Sequence, residues 1–204
     1  MTEILTGRPA TIAPNGLVTS PHSLASAAGV DVLRAGGSAI DAALATSAVL
    51  SVLYPHMTSI GGDAFWLIHD AKTNNVRYID GGGRATSRGT LDAFTRRGLS
   101  DVPLKGVLPG TLTVPGAVAS WTEAHAAYGR LPLARCLESA IGYARDGFPV
   151  TRRLAYWRDM QRLELPSVSW CGRRGRGISR RARRRRFRSD QPKRFRQRVS
   201  AVLH

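Results

Sequence analysis

The chain has 204 residues and a formal net charge of +16, from 30 Lys and Arg against 14 Asp and Glu. That length is enough for a domain with a real core, and the hydrophobic share of 43% is ordinary for a globular protein. Composition excludes a disulfide scaffold and a cysteine-based zinc site, because Cys136 and Cys171 stand far apart, and no charge-free stretch reaches the length of a membrane span.

The charge is unevenly placed. Residues 171–204 hold 13 Arg and one Lys against one Asp, whereas residues 1–170 are close to balanced, with 16 basic and 13 acidic side chains. The start of the chain lacks a basic region followed by an apolar run, so no signal peptide is expected and a cytoplasmic, reducing location fits.

Residues 1–15 show no periodicity. Leu17-Val18-Thr19 reads as a short strand ended by Pro21. Ser23 is an N-cap candidate for a helix to Ala35, with Ala27, Val30 and Leu33 on one side and Gly36-Gly37 as its stop. Ser38, with Asp41 three residues later, forms a capping-box pattern. From Ala42 to Leu53 there is no charge, so this second helix is expected to be buried nearly all round. Pro55 ends it. Ala64–Asp70 and Val76–Asp80 read as strands joined by a loop rich in turn formers, which predicts a hairpin. Gly81-Gly82-Gly83 and Arg84 follow, then a loop-rich stretch with a short helix near Leu91–Arg97 and turn signals at Val107–Gly110 and Val114–Gly116. A helix is expected over Ala117–Tyr128, with Val118, Trp121, Ala124 and Tyr128 sharing a face and Gly129 closing it. Leu133–Arg145 carries the clearest amphipathic stripe, Leu133, Cys136, Leu137, Ala140, Ile141 and Ala144. A further short helix is expected from about Thr151. Beyond Pro166 apolar periodicity vanishes, and a disordered tail is expected.

The body offers no obvious nucleophile. It has no strained serine elbow, no phosphate loop and no histidine pair at metal spacing, so no metal or cofactor is expected. His22, His69, His125 and His204 read as ordinary structural or surface groups, with His56 less clear. The clusters Gly61-Gly62 and Gly81–Gly83 are weak phosphate cradles and easily explained as turns. The tail could bind nucleic acid through phosphate contacts, with Phe187 and Phe195 stacking on bases. Its near-exclusive use of Arg over Lys, with Gly and Ala, is equally what a GC-rich coding strand yields out of frame, and that reading ranks ahead of the nucleic-acid one.

Several stretches of the body, in order, resemble the γ-glutamyltransferase family of N-terminal nucleophile (Ntn) hydrolases. They are Gly16–Ser26, the signature Leu33–Ala43, Pro55-His56 with Ser59–Gly62, Pro115–Val118, Tyr128–Pro132 and Ala144–Val150. The resemblance covers about Gly16 to Trp157. It implies an α+β fold, the N-terminal portion of a four-layer αββα sandwich, incomplete here. Residues 1–165 would form the partial domain and 166–204 the basic tail. It also implies a precursor that cleaves itself to expose a threonine nucleophile whose own amino group serves as base. That threonine belongs to a small subunit, so no catalytic residue is expected in this chain. The expected partners are a small-molecule amide substrate and the missing small subunit, with no membrane; nucleic acid belongs to the alternative reading only. The family's γ-glutamyl enzymes place an Arg-Glu pair after the hairpin; here those positions are Gly82 and Gly83. Arg84 is the remaining cation that could bind a substrate carboxylate, and the Gly-Arg-Ala form is more similar to branches acting on other amides. The expectation is a chain cut short, inactive alone and poorly soluble or only partly folded.

Overall fold

The computed structural model describes residues 11–102 and 113–164. The Arg-rich tail with its suggested nucleic-acid contact, the second cysteine and the turn signal at Val107–Gly110 lie outside the described residues, as does the expected boundary at residue 165. The described residues form helices α1 (Ser23–Arg34), α2 (Ala39–Leu53), α3 (Leu91–Thr95), α4 (Ala117–Tyr128), α5 (Leu133–Asp146) and α6 (Arg152–Glu164), with strands β1 (Ala64–Asp70) and β2 (Asn75–Gly81). The arrangement is α+β. One two-stranded antiparallel sheet is present among the described residues, not the stacked sheets of a full sandwich.

Helix α2 is the centre. Ser38 Oγ accepts from Asp41 N at 3.1 Å while the Asp41 carboxylate accepts from Ser38 N at 2.8 Å, so the capping box forms as the sequence suggests. Ala42, Leu44, Ala45, Ala48, Val49 and Leu53 are buried, packed by α1 on one side and α5 on another. One strip departs from the expectation of burial all round. Ala39 and Ala43 are exposed and Ser47 and Leu50 half-buried, facing a cleft of about 700 Å³ bordered by Asn15–Pro21.

Four sequence expectations shift. Helix α1 is capped by His22, whose Nδ1 accepts from Leu24 N at 3.3 Å, and not by Ser23. Its buried face is Ala25, Ala28, Gly29 and Val32; the expected Ala27 is exposed. The register is set by Gly29, where a Cβ would run into Thr46 Oγ1 of α2 and lie 2.9 Å from Val18 Cγ1, so the closest approach of the two helices falls on that turn. Leu17–Thr19 is not a strand, because no described strand pairs with it. Helix α4 buries Ala117, Ser120, Trp121 and Ala124, leaving Val118 48% exposed.

The hairpin has the predicted form, with Trp66 opposite Ile79 and Leu67 opposite Tyr78. Asn74 takes a φ of 53° in the connecting turn, which an Asn tolerates, and the Asp70 carboxylate accepts from Lys72 N and Thr73 Oγ1 at 3.0 Å each. Trp66, Ile68 and Ile79 point inward to α4, where Trp66 Nε1 donates to Ser120 Oγ at 3.1 Å. No described helix is long and apolar enough to cross a membrane.

Candidate functional site

Two constellations collect the residues that matter. The first lies where three backbone stretches cross beside the hairpin. The Gly62 carbonyl accepts from Gly116 N at 3.1 Å and from Ala117 N at 2.9 Å, so it caps the start of α4, which has no side-chain cap. Asp63 Oδ1 accepts from Gly83 N and Asp80 Oδ1 from Gly82 N, each at 2.8 Å. Val114 N donates to the Arg84 carbonyl at 3.0 Å, and Ala85 bridges to Thr113. The glycines are there because the crossing leaves no space. A Cβ on Gly81 would meet the Ala64 carbonyl, one on Gly83 the Val114 carbonyl, and one on Gly116 the Gly81 carbonyl, all backbone that cannot swing away. Gly82 differs: its neighbours are the movable ends of Asp80, at 2.9 Å, and Phe65, at 3.3 Å. Gly81, Gly83 and Gly116 are therefore packing devices, whereas a Cβ on Gly61 or Gly62 would meet Ser59 only at 3.7–3.8 Å. The Gly82 and Gly83 amides already donate to carboxylates, so they do not form a phosphate cradle.

Arg84, the sequence candidate for carboxylate binding, sits at this crossing with its backbone fixed by Val114 and its side chain exposed. The position that would carry a glutamate, Gly83, is closed to any side chain on this backbone. The position that would carry an arginine, Gly82, is bounded by the side-chain ends of Asp80 and Phe65 and not by backbone.

The second constellation is the buried carboxylate of Asp41, fully shielded from solvent. Asp41 Oδ2 accepts from Ser38 N and Arg130 N at 2.8 Å each and from Leu131 N at 3.2 Å. Its Oδ1 faces His125 Nε2 at 3.6 Å and Cys136 Sγ at 3.8 Å. Burial alone would raise the pKa of this carboxyl. The backbone N–H groups of Arg130, Ser38 and Leu131, together with the Ser38 hydroxyl, outweigh burial and hold it below the ordinary value. Cys136 is pushed the other way, to about 11, by burial and then by the adjacent Asp41 charge, so it is a neutral thiol at physiological pH. His125 Nε2 donates to the Leu131 carbonyl at 2.8 Å, which fixes its tautomer. Asp, His and Cys lie close enough together to suggest a metal site, but the chemistry is wrong for one. The nitrogen facing the carboxylate carries a proton, the thiol holds its own, and Oδ2 is saturated by donors. The node is structural: it ties the start of α2 to the turn between α4 and α5.

Sequence reasoning found the Asp41 cap but missed the wider node. The available signal was a lone charge at the head of an otherwise apolar helix. His22 and His56 are also more buried than a surface reading allows. His22 Nε2 and both ring nitrogens of His56 are shielded without hydrogen-bond partners among the described residues.

The fold and both constellations can be set beside known proteins. The chain is similar in structure to solved enzymes that include a γ-glutamyltranspeptidase and an acylase. The γ-glutamyltranspeptidase of Helicobacter pylori matches at a TM-score of 0.72 and 32% identity, over 81% of this chain and 47% of that one. A cephalosporin acylase from Bacillus halodurans matches at 0.64 and 36% identity, over 81% of this chain and 32% of that one. Among curated sequences, the glutathione hydrolase-like YwrD proenzyme of Bacillus subtilis is 49% identical over 135 residues, 66% of this chain and 25% of the relative. The oxamate amidohydrolase proenzyme of Klebsiella pneumoniae is 43% identical over 150 residues, 71% of this chain and 28% of the relative. The gamma-glutamyltranspeptidase family model matches residues 25–171, and the chain belongs to that family. It spans about a quarter of the length of these two relatives.

Proposed function

We propose that the chain supplies the N-terminal part of the large subunit of an amide hydrolase or acyltransferase. The chemistry is then performed by a threonine in segments that these 204 residues do not include. The observation that carries the reading is the family match, which spans α1 to α6 and includes the Asp41 node and the hairpin with its glycine crossing. On this reading the described residues are scaffold, and the chain alone does not turn over amides. With Gly82 and Gly83 at the positions of the Arg-Glu pair, either Arg84 substitutes for that arginine or the acyl group is not γ-glutamyl. Arg84 is the cation placed to meet a carboxylate at this edge. The names of the relatives, which include a glutathione hydrolase-like protein and an oxamate amidohydrolase, are consistent with a family whose amide substrates differ.

A chimera tests this. Residues 16–157 are exchanged for the matching segment of the Bacillus subtilis relative. Self-cleavage and amide hydrolysis by the chimera are expected, with Arg84→Ala raising KM for carboxylate-bearing amides more than it lowers kcat. A chimera that folds but neither cleaves itself nor hydrolyses any amide refutes the reading. The 204-residue chain alone is expected to release no p-nitroaniline from γ-glutamyl-p-nitroanilide. Turnover abolished by a substitution within it would place the catalytic group here instead.

A further inference from the structure

We infer that α6 is a pH-gated latch: Trp157 stacked on His56 holds it to the body, and protonation of His56 releases it. His56 follows Pro55 just after α2, and its ring meets two aromatic neighbours. The Tyr54 ring is tilted against it, with centroids 4.2 Å apart and planes at 57°. The Trp157 indole stacks on it at 5.9 Å, nearly parallel at 19°. Both ring nitrogens are buried without an acceptor. Neutral imidazole tolerates this with one unpaired N–H, whereas imidazolium would bury two unpaired donors and a charge.

The surrounding groups add to the effect. Arg153, one turn before Trp157 on α6, opposes a second positive charge, and at the C-cap of α2 the adjacent titratable residue is Tyr54. The intervening loop, Pro55 with Met57 and Thr58, offers no carboxylate. Burial first, and Arg153 second, keep the His56 pKa below its ordinary value. A cation–π contact with Trp157 would recover part of the loss, but it leaves both donors unsatisfied. Helix α6 packs broadly on no other element among the described residues, so the aromatic stack is its principal ring contact with the body there. Linkage makes the effect reciprocal. If docking weakens proton binding at His56, proton binding weakens docking by the same factor, tenfold for each unit of pKa.

Amide hydrogen exchange on the full 204-residue chain tests the latch at about pH 8 and about pH 5, a window that spans histidine titration. Rates are corrected for intrinsic exchange, and α2 and α5 serve as internal references. Protection of residues 152–160 is expected to fall on acidification while α2 and α5 hold, and His56→Gln is expected to abolish that fall. An equal fall in His56→Gln, no fall in the native chain, or simultaneous loss from every helix overturns the proposal. An independent measurement is the NMR titration of the His56 ring in the native chain and in Trp157→Ala. The pKa is expected to rise when the indole is removed, and an unchanged value overturns the latch whatever the exchange data show.

Discussion

Asp41 is the residue on which the packing of this chain depends most. Its carboxylate satisfies three backbone donors from two distant stretches, Ser38 at the start of α2 and Arg130-Leu131 before α5. Asp41→Ala leaves them without a buried acceptor, at about 1–3 kcal/mol for each unpaired group before relaxation. A net loss of about 3–5 kcal/mol is expected in urea denaturation, typical of a broken buried charge network; Asp41→Asn, which keeps an acceptor, should lose less. The same node protects Cys136, 1% exposed, with its thiol pKa pushed up to about 11. Peptide mapping after iodoacetamide treatment should find Cys136 unmodified in the native chain and modified in Asp41→Ala; ready labelling of the native chain would mean the node does not form. His22 makes the opposite demand on pH. Burial lowers its pKa, so the unfolded chain binds this proton more readily than the folded one. Stability from a neutral His22 is therefore present above about pH 6.5, the ordinary histidine value, and lost as the pH falls from there through the depressed folded value. His22→Asn keeps an N-cap acceptor without a titrating ring and should flatten that acid limb in denaturation midpoints. An acid limb as steep in the variant as in the native chain would assign it elsewhere.

At the scale of elements, the three consecutive glycines after β2 are not equivalent. Gly83→Ala drives a methyl into the Val114 carbonyl and Thr113, whereas Gly82→Ala meets only the ends of Asp80 and Phe65. The expected cost is about 1–3 kcal/mol for Gly83→Ala, as for overpacking in a core, and within about 0.5 kcal/mol for Gly82→Ala, as at a surface site. Thermal unfolding of the pair separates the two, and equal costs would mean that the crossing is looser than drawn. This contrast could not be read from the sequence, where GGG is a uniform turn signal. What distinguishes its members is a contact with residues some thirty positions later, and long-range contact leaves no local pattern. Elements with a local cause were legible: the Ser38–Asp41 cap, the charge-free α2, the hairpin and helix α5, although Ile141 of its apolar stripe is 48% exposed. Helix faces were misassigned where a partner decided the rotation. Gly29 gives the close approach of α1 to α2, and Ser120 bonded to Trp66 turns α4 so that Val118 faces out. Asp41 looked like a cap alone for the same reason, since its other two donors come from residues 130 and 131.

For the whole molecule, the hairpin poses the sharpest physical problem. Its inner face packs on α4, but Phe65, Leu67, Val76 and Tyr78 on the outer face are 58–78% exposed, with Leu67 directly opposite Tyr78. A second apolar groove of about 360 Å³, lined by Trp121, Leu133, Leu137 and Ile141 among others, opens between α4 and α5. Soluble monomers seldom leave contiguous apolar surface of this kind uncovered. The core around α2 is nonetheless closed on several sides, with Leu44, Val49 and Leu53 at 0% exposure. The chain is therefore expected to hold a folded centre and yet to self-associate through its outer faces, rather than to lack structure altogether. Sedimentation velocity at increasing protein concentration should show reversible growth in mass. Leu67→Lys with Tyr78→Lys, a cross-strand pair of like charges on the exposed face, should suppress that growth while leaving near-UV circular dichroism from the buried Trp121 in place. If the double variant associates as strongly as the native chain, the hairpin face is not the adhesive surface, and the α4–α5 groove becomes the next surface to charge.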